Sequence, residues 1–487
     1  MKRIILALSV VALLGVAPAG AQDLGNFVVL GDSMAAGFAH LGLMDCYQER
    51  AWPALVAREA GISDFESPLV SEPGLPALQQ LVGLELGTPL GTVPTIEPIS
   101  EDTGLPTNAL LPRPYNNLAV PFSTAYDMVF TVGDITNLLA GNTDNVFHDL
   151  ILRSPVVLGP DGLPVIDPET GLPIPTPAIA QAIGLDPSFV TVWIGTNDVL
   201  PAVLTATPIE GVTMTPVDFF ALLYQQAVGA LVSTTSADVV LVTIPDVTEL
   251  PFATAVSPFI THHLLGTVPL IGTNGPLDAS SRVLASGGEL IAMGYGLGAL
   301  IPGAPPLPED FDLATGQPGY VLRADETAAI KAQVAAVNQV IYATADAFGL
   351  EVFDAGGVID QTTMGEGFTF GGFDITGEAL LGGFFGFDFL HPQQLGHAII
   401  AAEFIAFLND EFGAGMDSLD MTEFLYSNPC AFPIPVPSAK ADEVVFPLEA
   451  HQRLLELAMP DLKRSAPARE PARRAAPARP RDLANPK

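Results

Sequence analysis

The sequence predicts an α/β fold with a mostly parallel sheet, and two kinds of segment support this prediction. Short, uninterrupted apolar runs that stop at glycine or proline are typical of strands buried on both faces. Longer stretches between them carry apolar residues three and four positions apart, which is the period of a helix packed on a core. Strands that alternate with helices require right-handed crossovers, which place helices on both faces of the sheet. We therefore expect a three-layer α/β/α sandwich.

Four apolar runs are the predicted strands, and long segments separate them along the chain. They cover residues 27–30, 189–194, 239–244 and 350–353. The first run is followed by Gly31, the second by Gly195 and the third by Pro245, which are residue types that interrupt strands. These positions mark the carboxyl ends of three strands of the predicted sheet.

Two helices are predicted together with their ends. Thr215 is a suitable N-cap, Pro216 suits the first helical position, and the helical run continues over 219–232. The second helix spans 324–348, where apolar residues recur at helical spacing, and Gly349 is a natural C-cap. Both helices lie between predicted strands, as the alternating pattern requires.

The two ends of the chain differ from its body. Residues 1–21 begin with Lys2 and Arg3, continue with an apolar stretch and end in the small-residue cleavage pattern Ala-Gly-Ala, which predicts an export signal peptide. Residues 463–487 are rich in alanine, proline and arginine, which predicts a disordered tail. We expect one domain over 22–462, no membrane-spanning segment beyond the signal peptide, and a periplasmic, secreted or cell-surface location.

Three Pro/Gly-rich stretches interrupt the body, near 71–114, 154–177 and 251–318. Stretches of this length are usually functional or disordered. Two interpretations stay open: they cover a substrate site, or they decorate the surface. The acidic residues of the second stretch lack the spacing of an EF-hand, so no calcium site is expected there.

The charge of the chain restricts its partners. Asp and Glu number 54 against 19 Lys and Arg, and 52 of the acidic but nine of the basic residues lie in 22–462. Such a body repels phosphate backbones, so nucleic acid is not an expected partner. Adaptation to high salt and an ordinary acidic exported protein both explain this charge, and a stability curve against salt separates them.

The cysteines and histidines offer little for metal binding. The two cysteines are too few for a multi-cysteine metal cluster or a disulfide scaffold. Cys46 and Cys430 can form one disulfide in an oxidising compartment, and two separate buried thiols are the alternative. His262 and His263 are adjacent in sequence, and adjacent side chains rarely share one ion. We expect neither a metal nor another cofactor. The oligomeric state cannot be inferred.

Polar residues follow the predicted strands at the edge where catalytic groups collect in parallel sheets. The first strand leads into residues 31–34 (GDSM), which places Ser33 at the N-terminus of a helix. Backbone N–H groups and the helix dipole there favour a developing oxyanion. The second strand leads into residues 195–198 (GTND), where the Asn197 amide supplies another donor. Asp32 is expected to hold the turn that carries Ser33.

A histidine and an aspartate close to each other complete the candidate site. Residues 388–392 (DFLHP) place Asp388 three positions before His391, on a loop before a helix that Pro392 is expected to begin. At that separation the carboxylate can reach Nδ1 of the imidazole and orient the ring. A serine, a histidine and an aspartate on one fold indicate acyl transfer.

These motifs resemble those of the SGNH hydrolase superfamily, the GDSL-type lipases and esterases. Residues 31–34 match the first block with Met34 in place of leucine, 195–198 match the third, and 388–392 match the fifth. The resemblance implies a flavodoxin-like fold and frames nearly the whole body. It also implies that Ser33 is the nucleophile, that His391 is the base oriented by Asp388, and that Ser33 and Asn197 supply oxyanion donors.

One position departs from the family pattern. The second block reads Asn-x-Ala-x-x-Gly, and its glycine donates a backbone N–H to the oxyanion. Here the block begins at Asn117, and Phe122 stands at the glycine position. Either Phe122 donates from an ordinary backbone conformation, or the oxyanion hole relies on Ser33 and Asn197.

The function predicted from these residues is an exported serine hydrolase of carboxylic esters, an esterase or lipase that acts on a small-molecule or lipid ester. The alternative is a non-catalytic exported binding or envelope protein on the same fold, which the change at Phe122 favours. Four phenylalanines around the Asp-His loop form either an acyl-binding wall or ordinary core: Phe384, Phe385, Phe387 and Phe389.

Overall fold

A computed structural model describes residues 24–88, 91–159, 162–426, 430 and 446–460, without the side chains of 84–95 and 426. The predicted signal peptide (1–21) and the predicted tail (463–487) lie outside the described residues. The strands are β1 (Phe27–Gly31), β2 (Gln79–Thr88), β3 (Gly91–Pro98), β4 (Phe189–Trp193), β5 (Asp238–Val242), β6 (Phe259–His262), β7 (Gly266–Pro269), β8 (Ile271–Gly272), β9 (Gly275–Pro276), β10 (Arg282–Val283), β11 (Val321–Leu322), β12 (Glu351–Phe353), β13 (Phe368–Phe370) and β14 (Phe373–Ile375).

Helices occupy most of the segments between the strands of the central sheet. They are α1 (Ser33–Ala36), α2 (Asp45–Gln48), α3 (Trp52–Glu59), α4 (Ala125–Phe130), α5 (Ile135–Leu139), α6 (Val146–Ile151), α7 (Ala178–Gly184), α8 (Leu200–Leu204), α9 (Val217–Thr234), α10 (Pro251–Thr254), α11 (Gly287–Ala292), α12 (Ala324–Phe348), α13 (Ala355–Thr363), α14 (Gln394–Phe412), α15 (Thr422–Tyr426) and α16 (Leu448–Ala458). None of these helices is both long and apolar enough to cross a bilayer.

The central sheet contains the four strands that the apolar runs predict. Its order is β1-β4-β5-β12, and all of its pairs are parallel. Every residue of β1 and β4 is buried, because helices cover the sheet. Burial on both faces is the reason why these strands are uninterrupted apolar runs instead of alternating sequences. The predicted α/β fold with a parallel sheet is confirmed.

The chain next to the predicted second block extends this sheet beyond β1. The N–H of Val29 donates to the Asn116 carbonyl at 2.8 Å, and the N–H of Leu118 donates to the Val29 carbonyl at 2.8 Å. The Val120 N–H donates to the Gly31 carbonyl at 3.0 Å. Residues 116–120 therefore run alongside β1 to its carboxyl end, and residue 122 lies at the edge of the sheet where β1 ends.

Two pairs of helices form the outer layers. Helix α9 packs against α12, and α3 packs against α14, while both α12 and α14 also contact strand β12. Trp52 of α3 lies against Trp193 of β4, with ring centroids 5.9 Å apart. Helix α12 has the predicted bounds and ends at Gly349, whose φ of 68° is the left-handed conformation of a C-cap glycine.

Two predicted helix starts are wrong by a short distance. The N-cap of α9 is Pro216, not Thr215, because Thr215 is held in the preceding loop, where its N–H donates to the Asp198 carbonyl at 2.8 Å. Helix α14 begins at Gln394 with Gln393 as N-cap, so Pro392 lies in the loop and does not begin the helix. Asp388 and His391 still lie before that helix.

The three Pro/Gly-rich stretches contain short antiparallel pairs. Strands β2 and β3 pair within the first stretch, and isolated bridges such as Val156–Pro175 and Ile166–Pro173 occur in the second. The third contains the pairs β6–β7 and β8–β9 and helix α11. It also contributes to an apolar cluster that includes Ile260 and Leu270. This cluster is separate from the main core.

A disulfide joins Cys46 of α2 to Cys430, with their Cα atoms 5.6 Å apart. The predicted pairing is therefore confirmed. The two residues are 384 positions apart in sequence, so the bond closes a loop that contains three of the four strands of the central sheet, β4, β5 and β12. Closing so long a loop removes much conformational entropy from the unfolded chain.

Loss of this disulfide is expected to lower the free energy of unfolding by about 2–5 kcal/mol. Urea denaturation should be measured with and without dithiothreitol for the wild type and for the double variant Cys46→Ser, Cys430→Ser. The reductant should destabilise the wild type and leave the double variant unchanged. Equal curves for the oxidised wild type and the double variant would contradict the expectation.

Helix α16 was not expected from the sequence, and it docks through a buried histidine. His451 Nε2 lies 2.7 Å from the Leu204 carbonyl, and Nδ1 lies 2.8 Å from Ser286 Oγ. A carbonyl only accepts, so Nε2 carries the proton and Nδ1 accepts from the hydroxyl. Burial lowers the pKa of His451 to about 4, against a smaller opposing effect of the Leu204 carbonyl. The docked imidazole is therefore neutral at pH 7.

Acid should weaken the contribution of His451 to stability. The unfolded chain binds a proton at this residue below its ordinary pKa of 6.5, whereas the folded chain does so only near pH 4. Stability from this residue is thus lost as the pH falls between these values. The difference in unfolding free energy between wild type and His451→Gln should shift against the wild type by up to about 3 kcal/mol from pH 7 to pH 4. Urea curves that keep a constant separation over this pH range would oppose this assignment.

Candidate active site

Ser33 lies at the first turn after β1. Asp32 is the N-cap of the four-residue helix α1, and its Oδ1 accepts the N–H of Met34 at 2.9 Å. A Cβ atom at Gly31 would lie 2.9 Å from the Ala35 Cβ, so the turn requires glycine there. The predicted structural role of Asp32 agrees with this cap. Burial raises the pKa of Asp32 to about 6, although the Met34 N–H and His391 oppose that shift.

The structure brings Ser33, His391 and Asp388 together in a row. His391 Nε2 lies 2.8 Å from Ser33 Oγ, and His391 Nδ1 lies 3.2 Å from Asp388 Oδ2. All three side chains are buried: Ser33 is 2% exposed, His391 1% and Asp388 0%. Residues that are 358 positions apart in sequence thus share a direct contact between a hydroxyl and an imidazole.

Asp388 is held as a carboxylate by its surroundings. Its Oδ1 accepts the N–H groups of Leu390 at 3.1 Å and His391 at 2.9 Å, and Oδ2 accepts the N–H of Leu41 at 2.9 Å. Burial alone would raise its pKa, but the charge of His391 and these hydrogen bonds outweigh burial and lower the pKa to about 2. The group is therefore ionised throughout the neutral range and faces Nδ1 of His391.

Asn197 connects the third motif to the second. It lies in a 3-10 turn (Thr196–Asp198) after β4, and its Nδ2 donates to the Ser123 carbonyl at 3.1 Å. The neighbouring Asp198 accepts the Ala125 N–H at 3.0 Å through Oδ2. These two bonds tie residues 123–125 to the end of β4. Burial raises the pKa of Asp198 to about 7, although hydrogen bonds from Thr215 and Ala125 partly offset that effect.

Phe122 adopts a backbone conformation that L-residues avoid. Its φ is 63°, which is the left-handed region that glycine occupies readily. The sequence left two possibilities: Phe122 donates its N–H from an ordinary backbone conformation, or it does not donate. The backbone conformation in the structure is not the ordinary one. Phe122 therefore combines a bulky side chain with a backbone region that glycine adopts readily.

Aromatic rings surround the imidazole of His391. The ring of Phe38 lies 4.8 Å from it at an interplanar angle of 65°, and the ring of Phe122 lies 6.0 Å from it at 87°. Phe38 and Phe122 also contact each other edge to face at 5.3 Å. Such edge contacts restrict ring rotation and exclude water. The side chain of Phe122 thus helps to hold His391 in place.

The four phenylalanines of the Asp-His loop are core residues. Phe384 and Phe385 contact each other at 4.9 Å, Phe387 packs on His40 at 4.7 Å, and Phe389 packs on Phe446 at 5.4 Å. All four are at most 3% exposed. Of the two interpretations offered by the sequence, core packing is the one that the structure supports, because these rings are enclosed by other side chains.

A cavity of about 970 Å³ begins beside two candidate donors to the oxyanion. Both Phe122 and Asn197 line it, together with His148 and the end of α16 from Leu457 to Pro460. His148 Nε2 lies 3.3 Å from Ser123 Oγ, next to the carbonyl that Asn197 binds.

The contact of His148 and the presence of helix α16 were not predicted from the sequence. Buried residues at positions 450, 451, 454 and 455 repeat at helical spacing, which is a signal that was available in the sequence.

No metal site emerges from the part of the chain that the structure describes. Within it, no three or more His, Cys, Asp or Glu side chains group together in a way that would hold an ion. The rings of His262 and His263 contact each other with their centroids 4.4 Å apart and an interplanar angle of 39°.

The model of one protein family, GDSL-like lipase/acylhydrolase, matches residues 27–404. The chain belongs to this family. Ester hydrolysis is accordingly the general activity of this GDSL-like lipase/acylhydrolase. The match begins with β1 and extends through the Asp-His loop into α14, so it contains all three motifs on which the resemblance was based. That resemblance is confirmed.

Solved structures of two Streptomyces enzymes are similar to this chain at low identity. One is phospholipase A1 from Streptomyces albidoflavus NA297, with a TM-score of 0.30 and 13% identity over 80% of this chain and 99% of the other. The other is an extracellular lipase from Streptomyces rimosus, with a TM-score of 0.30 and 12% identity over 79% of this chain and 98% of the other. No curated protein matches the chain.

The left-handed φ of Phe122 predicts an unusual order of stability for two variants. Phe122→Ala and Phe122→Gly both remove the buried ring and should each cost several kcal/mol, about 3–5 for alanine. Glycine avoids the left-handed penalty, so Phe122→Gly should be more stable than Phe122→Ala by about 1–2 kcal/mol. Urea denaturation measures both variants.

The opposite order would contradict the left-handed conformation. At an ordinary helical or extended position, glycine is less stable than alanine by about 0.5–1 kcal/mol. The pair Phe147→Ala and Phe147→Gly supplies that reference, because Phe147 lies in helix α6 and packs on the same Phe38 ring.

Proposed function

We propose that this chain is an exported serine esterase or lipase that cleaves carboxylic esters through an acyl-enzyme. The observation that carries the proposal is the row formed by Ser33 Oγ, the two ring nitrogens of His391 and Asp388 Oδ2, with separations of 2.8 Å and 3.2 Å. A hydroxyl in contact with an imidazole that a carboxylate orients is the arrangement of an activated nucleophile.

Acylation would proceed from this geometry. Ser33 Oγ attacks the ester carbonyl while His391 Nε2 removes the hydroxyl proton, and the new C–O bond leaves a tetrahedral oxyanion. Asp388 stabilises the imidazolium and holds the tautomer in which Nε2 is free to accept. The intermediate collapses when the bond to the alcohol breaks and His391 returns the proton to the leaving oxygen. Water, activated by the same nitrogen, then hydrolyses the acyl group from Ser33.

Three donors are proposed for the oxyanion: the backbone N–H of Ser33, the backbone N–H of Phe122 and the side-chain amide of Asn197. Ser33 is the first residue of helix α1, so the helix supplies no partner for its N–H. Asn197 Nδ2 uses one hydrogen on the Ser123 carbonyl, and its second hydrogen is available for an oxyanion. Fixed donors of this kind usually supply a large part of catalysis.

Export is supported by two independent features. The first 21 residues have the pattern of a signal peptide. Cys46 and Cys430 form a disulfide, and such bonds persist in oxidising compartments outside the cytoplasm. We therefore propose a periplasmic, secreted or cell-surface enzyme.

The non-catalytic alternative depended on Phe122, which was read as a sign of decay in the second block. Its left-handed φ weakens that reading, because the backbone at the oxyanion position is kept despite the added side chain. No other feature of the described residues favours a binding protein over an enzyme.

A fluorophosphonate probe tests the proposal directly. It should label the wild type and the control variant Ser233→Ala, which changes an exposed serine, and both should hydrolyse p-nitrophenyl acetate. Ser33→Ala should remove labelling, and His391→Ala should lower kcat by several orders of magnitude, about 10⁴ or more. Labelling that survives Ser33→Ala, or near-normal turnover in His391→Ala, would reject the assigned roles.

A further inference from the structure

The C-terminal segment 446–460, which contains α16, lies next to the candidate site at two places. Just before α16, the ring of Phe446 packs at 5.4 Å against Phe389, which lies between Asp388 and His391. At its other end, residues 457–460 line the cavity that Phe122 and Asn197 also line. The segment therefore extends from the loop that carries His391 to the cavity beside Phe122 and Asn197.

The cavity presents large apolar side chains to solvent. Phe219 is 43% exposed, Val212 45% and Tyr126 50%, and all three line the cavity. Large apolar side chains that are exposed together at a concave site usually mark a surface for an apolar ligand. Leu457 and Met459 of the C-terminal segment are partly buried and face the same space.

The charges of the cavity favour an uncharged ligand group. Among the described lining residues, Asp127, Asp144 and Asp198 carry carboxyl groups, and none is a lysine or arginine. An anionic headgroup would meet like charge there without a compensating cation. The volume of about 970 Å³ also exceeds what an acetyl group needs. A neutral acyl chain fits both the charge and the size of this space.

We propose that the C-terminal end of α16 forms one wall of the acyl-chain site, with Met459 as a specificity-determining residue. The inference rests on the proposed function of the Ser33 site. The wall is formed before substrate binds, because His451 fixes the helix to Ser286 and to the Leu204 carbonyl, and Leu454 and Leu455 are buried under it. A wall held in this way limits chain length instead of adapting to it.

Chain-length selectivity of Met459 variants tests the inference. Values of kcat/KM are measured for p-nitrophenyl acetate, octanoate and dodecanoate with wild type, Met459→Trp and Met459→Ala. The larger tryptophan should shorten the site and lower kcat/KM for octanoate roughly tenfold, with acetate changed by less than about twofold. The smaller alanine should raise the ratio of dodecanoate to octanoate by about threefold or more.

The control is Gln452→Ala, which changes an exposed residue of the same helix and should leave all three esters unaffected. Circular dichroism and Tm verify that each variant is folded. If folded Met459 variants keep the wild-type ratios between the esters, the wall is elsewhere and the inference fails while the proposed function stands. If the wild type hydrolyses none of the three esters and its Ser33 is not labelled, the proposed function fails as well.

Discussion

Parallel hydrogen bonding on both sides of β1 is the constraint on which the rest of the site depends. On one side β1 pairs with β4, and on the other its backbone bonds to residues 116–120. Parallel neighbours end at the same edge of a sheet, so the turn with Ser33, the turn with Asn197 and the loop with Phe122 emerge side by side. The loop of Asp388 and His391 then completes the site through the 2.8 Å approach of the imidazole to Ser33.

Burial raises the pKa of every carboxyl group around this edge, and the contacts of each group decide whether that rise is outweighed. Asp388 accepts three backbone N–H groups and faces His391, so its pKa falls to about 2 although it is completely buried. Asp32 and Asp198 are equally buried, but their contacts do not outweigh burial, and their pKa values rise to about 6 and 7. The carboxylate beside the imidazole therefore stays charged to a lower pH than the other two, as orientation of His391 requires.

At position 122 the side chain departs from the family pattern, while the backbone has a conformation that glycine adopts readily. The neighbouring backbone is fixed, since Asn197 binds the Ser123 carbonyl and Asp198 binds the Ala125 N–H. Residue 122, next to this fixed segment, has a positive φ. A positive φ is unfavourable for phenylalanine, and the contacts of its ring with Phe38 and His391 offset this cost.

The sequence by itself determined the parallel sheet, most of helix α12 with its glycine cap, and the three motifs that carry Ser33, Asn197, Asp388 and His391. These features depend on local patterns, namely apolar runs, helical spacing and short motifs whose spacing survives in one dimension. Tertiary structure alone decided the φ of Phe122, the neutral docking of His451 in α16, the contact of His148 with Ser123, and the burial of the phenylalanines of the Asp-His loop. Each of these depends on atoms from segments far apart in sequence, and no local pattern encodes which segments meet.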